Sequence, residues 1–172
     1  TFDAEQVMTR LIVLMRNTFG LIVHRASLSP GEGWAPGVRK YRIFDAAELR
    51  GDVYIDLGGR EGKYPGSAHF CVRGACQDRL RMTAQRQLPC VIVTLGEVFV
   101  GQPKFQGKIF VDRDDCDRNN DILWTEVKMT TAQVTSLWHE WAHALHSVLS
   151  KGSFQHLSGT RVEEIGRASC RE

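Results

Sequence analysis

Residues 131–151 carry the pattern that most restricts the fold. Val134, Leu137, Trp138, Trp141, Ala142, Leu145, Val148 and Leu149 recur at three- and four-residue intervals, the spacing of a stripe buried along one side of an α-helix. Thr130 and Gln133 supply a capping box, and Gly152 follows Lys151 as a stop signal. Inside this helix lies His139-Glu140-Trp141-Ala142-His143. Histidines at i and i+4 stand one turn apart on the same face, so both imidazoles can reach one metal ion. Glu140 sits beside them, where a carboxylate can take a proton from a metal-bound water. The competing reading is a surface helix that carries two histidines by chance. Two tryptophans and a leucine flanking the pair weigh against it, because His139, His143 and His146 form a second stripe next to the apolar one.

Length and charge narrow the classes. The chain has 172 residues, 42% of them apolar, enough for one sizeable core. A net charge of +2 without strong clustering gives no basis for nucleic-acid binding or a membrane surface. The longest apolar runs, residues 11–15 and 90–95, suit a buried helix and a buried strand, so no membrane insertion is expected. Thr1 is not an initiator methionine; the N-terminus reads as a cut edge, with any targeting segment missing. Cys71, Cys76, Cys90, Cys116 and Cys170 form no C-x-x-C and no paired framework, which favours free thiols in a reducing compartment over a zinc ribbon.

The remaining pattern predicts an α+β chain. Residues 3–17 read as an amphipathic helix with Val7, Leu11, Leu14 and Met15 on one side. A short strand is expected at 20–24 and a Gly/Pro-rich loop at 28–37. Strand-like segments follow at 39–44, 53–57, 68–73 and 91–98, separated by Gly58-Gly59, Gly62, Pro65-Gly66 and Gly74, so a small antiparallel sheet is the natural assembly. Residues 101–128 are polar and irregular. Asp112, Asp114, Asp115, Asp117 and Asp121 cluster there, but a calcium loop needs glycine where Asp117 stands and glutamate where Leu123 stands; a solvated acidic loop is the better reading. His69 lies in the strand Ala-His-Phe-Cys-Val-Arg, reads as a hydrogen-bonded core or edge residue, and is left out of the metal site.

Several stretches together resemble the thimet-oligopeptidase-like zinc peptidases, and within them the mitochondrial intermediate peptidase branch. They are His139 through Ser147, then Phe154-Gln155-His156-Leu157-Ser158-Gly159-Thr160-Arg161, and upstream Gly51 through Leu57, Arg60-Glu61-Gly62-Lys63, Ala68-His69-Phe70, Arg73-Gly74 and Gln87-Leu88-Pro89. The likeness covers roughly residues 2–161. One departure is Ala142, where the family usually carries glycine; alanine slightly favours the helix. The stretch 101–128 is longer than the family pattern suggests, as a lineage-specific insertion would be. The resemblance implies a zinc metalloendopeptidase whose full-length parent is mostly α-helical, its cleft between two helical halves, with a small sheet beside the zinc helix to hold an extended substrate. It implies Zn2+ as cofactor, His139 and His143 as ligands and Glu140 as general base. His146 would stand behind the site, and His156, Gly159 and Thr160 would border the substrate channel. It also implies action on N-terminal segments of imported proteins in the mitochondrial matrix (a cytoplasmic peptidase being the alternative), with a monomer as the expected state.

The family's third ligand is a glutamate 29 positions after the first histidine, and here that position is Ala168. Glu163, 24 positions after His139, has the spacing of thermolysin-like enzymes, so a gluzincin using it is one alternative. A non-catalytic peptide-binding protein on a peptidase scaffold is another; the intact His139, Glu140 and His143 argue against it. From Glu164 the chain reads Glu-Ile-Gly-Arg-Ala-Ser-Cys-Arg-Glu, the in-frame translation of a common sequencing adapter, GAG ATC GGA AGA GCG TCG TGT AGG GAA. The expected organisation is therefore a partial catalytic domain over 1–163, truncated at both ends, and a non-native tail over 164–172. Such a piece lacks the third ligand and is expected to be inactive by itself.

Deleting residues 165–172 should leave the chain's zinc affinity weak and unchanged in competition with a chelator. A large drop would show that the tail supplies a ligand.

Overall fold

In the computed structural model, which describes residues 1–57, 59–77, 86–96, 124, 127–151 and 154–161, both long helices start from one two-stranded ribbon. Strand β1 (Phe2–Asp3) pairs antiparallel with β9 (Lys128–Met129), Phe2 opposite Met129. Helix α1 (Ala4–Phe19) follows β1 directly, and α2 (Thr131–Leu149) begins just after β9. Ala4, Val7, Met8, Leu11 and Met15 are the buried side of α1. Met8 takes the place on that stripe expected of Leu14, which is 39% exposed. Gly20 ends the helix in the left-handed region (φ 68°), its N–H donating to the carbonyls of Arg16 and Met15.

Five strands form the main sheet in the order β2-β3-β4-β8-β5: β2 (Leu21–Ala26), β3 (Val38–Asp45), β4 (Glu48–Leu57), β5 (Ser67–Arg73) and β8 (Cys90–Leu95). The short β6 (Cys76–Gln77) and β7 (Arg86–Gln87) pair separately. The chain is α+β, as expected, but the sheet is mixed: β8 runs parallel to β4 and antiparallel to β5. The chain bypasses β4's open edge, places β5 one position further out, and returns to fill the gap with β8. Gly51 permits that insertion, since a Cβ there would stand 2.6 Å from the Pro89 carbonyl oxygen; Asp52 N–H donates to the same oxygen at 3.1 Å. β3 and β4 are longer than their apolar patterns suggest because they join in one hairpin around Ala46 and Ala47, both at positive φ (47° and 71°).

One face of this sheet is the core. Tyr41, Ile43, Val53, Ile55, Leu57, Val91, Val93 and Leu95 alternate toward the helices and meet the buried sides of α1 and α2. Trp124, fully buried, donates from Nε1 to the Gly37 carbonyl at 2.7 Å, and the Arg39 guanidinium lies 4.1 Å from its ring centre. Among the described residues, no helix is long and apolar enough to cross a membrane. Among the described residues no disulfide joins Cys71, Cys76 and Cys90; the acidic cluster, Cys116 and Cys170 lie outside the described residues.

The opposite face is covered by charge instead of hydrocarbon. Lys40 Nζ reaches Glu32 at 2.6 Å and Asp52 at 3.4 Å, and Tyr54 also donates to Glu32. These donors outweigh burial and hold the Glu32 carboxyl down to about 2. Asp56, next along β4, accepts from Trp34 Nε1 at 2.9 Å, from both Arg60 terminal nitrogens at 2.8 Å, and from Lys63 Nζ at 3.1 Å. Burial alone would raise its pKa; the bonds from Arg60 and Trp34 and the charge of Lys63 win and leave it below the usual carboxylate range.

Asp56→Asn should destabilise the fold by about 3–5 kcal/mol at pH 7, because it leaves the buried Lys63 ammonium without its carboxylate. Asp56's folded pKa lies below its unfolded value of about 3.9, so its contribution is complete above that value and is lost as pH falls through the folded pKa. Urea midpoints measured across pH should therefore drop more steeply on the acid side for the unmodified protein than for the Asn variant.

Candidate metal centre on helix α2

Helix α2 is fixed at its start by a reciprocal cap. The Thr130 hydroxyl accepts from Gln133 N–H at 3.3 Å, and the Gln133 side-chain oxygen accepts from Thr130 N–H at 2.8 Å. It ends at Leu149, two residues before the expected limit. Leu137, Trp141, Ala144 and Val148 are its buried apolar stripe. The Trp141 ring meets Tyr41 of β3 edge-on, centroids 6.3 Å apart, which seats this turn against the sheet. Trp138, placed on the buried stripe by its spacing, is 41% exposed, and Ala142 is exposed too; Ala144 packs inward instead.

Of the expected second stripe His139, His143 and His146, the last is exposed, and the line through 139 and 143 continues instead to Ser147. A four-residue step overshoots one 3.6-residue turn, so each member sits about 40° further around the helix. The consequence is graded burial: His139 is exposed, His143 half-buried, and Ser147 only 1% exposed. His139 and His143 converge. Their Nε2 atoms lie 3.1 Å apart and their rings meet at 80° with centroids 4.7 Å apart. Two imidazole nitrogens bound tetrahedrally to one zinc ion would stand roughly 3.3 Å apart, so this donor pair fits a shared zinc. Glu140 is half-buried, one position on from His139. Among the described residues, no group of three or more His, Cys, Asp or Glu side chains is arranged to hold a metal; Glu163 and Ala168 lie outside them.

The other site residues expected from the sequence spread around this centre. His146 is exposed on the last turn of α2. His156 is exposed in the short 3-10 turn Gln155–Leu157, while Gly159 and Thr160 belong to a second such turn, Gly159–Arg161, packed against α2. Gly159 is buried; its N–H donates to Ser150 Oγ at 2.9 Å. Gln87 ties this segment to the sheet, its Nε2 donating to the Gly74 carbonyl at 2.9 Å and to Gln155 Oε1 at 3.1 Å.

His69 is the residue that sequence reasoning set aside. It lies on the edge strand β5 and is hydrogen-bonded, as that reading held, but its partner is Ser147 Oγ at 3.1 Å, and its ring is 6.1 Å from that of His143. Burial, followed by the nearby imidazoles of His143 and His146, pushes it down to about 4. Strand alternation held a usable signal: His69 pairs with Val93 and Cys71 with Val91, both buried on the helix side.

The profile described as peptidase family M3 matches residues 1–105, ending before α2. The mitochondrial intermediate peptidase of Arabidopsis thaliana is 35% identical over 94% of this chain and 20% of its own length. Those of Malassezia globosa and Homo sapiens are 31% and 29% identical over 90% and 93% of the chain. Matches of this extent take in α2, and the chain spans about 20% of the length of these relatives.

Gly159 offers a direct test of the packing behind the centre. Its φ is 63°, and a Cβ there would lie 2.7 Å from Ser147 Cα. Gly159→Ala should cost about 1–3 kcal/mol of stability and speed amide exchange in the last turn of α2. Unchanged exchange would mean the turn is not seated on the helix.

Proposed function

The chain belongs to peptidase family M3, and from that premise we propose that it is the zinc-helix region of a metalloendopeptidase. His139 and His143 would hold the ion, and Glu140 would act as general base. The observation that carries this reading is the convergence of two Nε2 atoms to 3.1 Å on one capped helix, with a carboxylate at the adjoining position. Zinc, when bound there, supplies Lewis acidity: it brings the pKa of a water down to about 7 and polarises a carbonyl.

This chain's own groups supply the rest. Glu140 accepts the proton released by the attacking water and delivers it to the leaving amine. Among the described residues strand β5 is the last in the sheet, the position at which an extended peptide would be laid alongside as a further strand. Substrate would therefore bind through its backbone, next to the helix that carries the histidines. The third ligand comes from a part of the protein beyond the described residues, and this stretch alone is inactive. His146, His156, Gly159 and Thr160 are assigned supporting places around the site. The relatives are named mitochondrial intermediate peptidases and match at least 90% of the chain, which supports a mitochondrial peptidase; the matrix and the N-terminal segments of imported proteins are the compartment and substrate that the family resemblance implies.

In the full-length protein, Glu140→Gln should keep zinc content and melting temperature while lowering kcat by at least about 100-fold, since the amide can hold a water but not accept its proton. Near-normal hydrolysis by that variant would remove Glu140 from the base role.

A further inference from the structure

His69 and Ser147 come from elements 78 positions apart, yet their side chains meet at 3.1 Å. Ser147 continues the stripe of His139 and His143 by one more turn, and at 1% exposure its hydroxyl has no route to water. Such a group needs an internal partner, and a lost one costs more than the bond is worth. His69 is that partner. From the other side Gly159 closes on the same residue, without room for a side chain: a Cβ would stand 2.8 Å from Ser147 Oγ. Ser147 is thus gripped between the edge strand and the turn that follows the helix.

The grip has a defined lever arm. His143 is one turn before Ser147, and the His69 ring lies 6.1 Å from the His143 ring, tilted by 31°. A rotation of α2 that moved His143 would have to break the His69–Ser147 hydrogen bond or drive Ser147 into Gly159. Apolar contacts of Leu137, Trp141, Ala144 and Val148 resist rolling only loosely, because dispersion is not directional; a hydrogen bond between two half-rigid elements is directional.

We propose that His69 is a positioning residue: through Ser147 it fixes the rotation of α2, and so sets where the His139–His143 pair stands relative to a third ligand from outside α2 and to the substrate-receiving strand β5. The inference rests on the zinc reading above. Groups that orient metal ligands from behind typically carry 10–100-fold in metal affinity, and two residues acting through one bond are not additive.

The test uses the full-length, zinc-loaded protein, with zinc affinity measured by chelator competition alongside melting temperature. His69→Ala and Ser147→Ala should each weaken zinc binding about 10-fold, the double variant no further, and His69→Gln, whose amide reaches the position of Nε2, should recover most of it. Additive losses, or a melting temperature that falls while both single variants keep the original affinity, would overturn the proposal. Should His69→Ala fail to fold, Ser147→Ala and His69→Gln still decide it: a Ser147→Ala affinity equal to that of the unmodified protein is a refutation. His143→Ala separates the premise from the inference. If it retains full zinc affinity, the metal reading fails and the positioning role with it; if it abolishes binding while the His69 and Ser147 variants do nothing, only the positioning role fails.

Discussion

Helix α2 can bury only one side of itself, and the side it buries decides where everything else on it points. Leu137, Trp141, Ala144 and Val148 form the side of α2 that faces β8, β5 and β4, and Trp141, the largest of these side chains, also meets Tyr41 of β3 edge-on. Losing a buried tryptophan of this kind costs about 3–5 kcal/mol. With that face fixed, the mismatch between a four-residue repeat and a 3.6-residue turn does the rest. It carries the histidine stripe from solvent at His139 to the interior at Ser147, so a single helix presents an exposed histidine end and an anchored end.

The two faces of the sheet answer to different physics. Toward the helices the strands bury hydrocarbon, which is tolerant of small shifts. On the other side the 28–37 loop is held down by ion pairs around Lys40, Glu32 and Asp56, which are geometrically demanding and costly to leave half made. That side specifies the loop's position, while the apolar side supplies most of the driving force.

Sequence pattern made α1, α2 and the strand segments legible because each is dominated by local periodicity. It failed where position depends on distant partners. The parallel pairing of β4 with β8 leaves no mark on either strand, and two apolar runs joined through other elements look the same in either direction. The hairpin at Ala46-Ala47 was invisible for a different reason: alanines at positive φ carry none of the Gly or Asn signal such turns usually show. Trp138 sits at the right interval for burial, but the interval cannot say how wide the covering surface is. In the candidate centre, His139, Glu140 and His143 stand out from spacing alone. Ser147 and His69 do not, because a serine on a helix and a histidine on a strand acquire meaning only once β5 is laid against α2.

The β1–β9 ribbon has a consequence for how this scaffold tolerates change. β8 ends at Leu95 within the sheet, and β9 resumes at Lys128, clamped to the first residues of the chain. The intervening segment adds Trp124 and Val127 to the core just before β9, while its two ends are held by the sheet and by the ribbon. Closing a loop between two fixed anchors costs only about 0.6 kcal/mol more each time its length doubles. Length can therefore vary between these two anchors while the entry of α2, its cap and its histidines keep their places, making this the natural point for the scaffold to diversify.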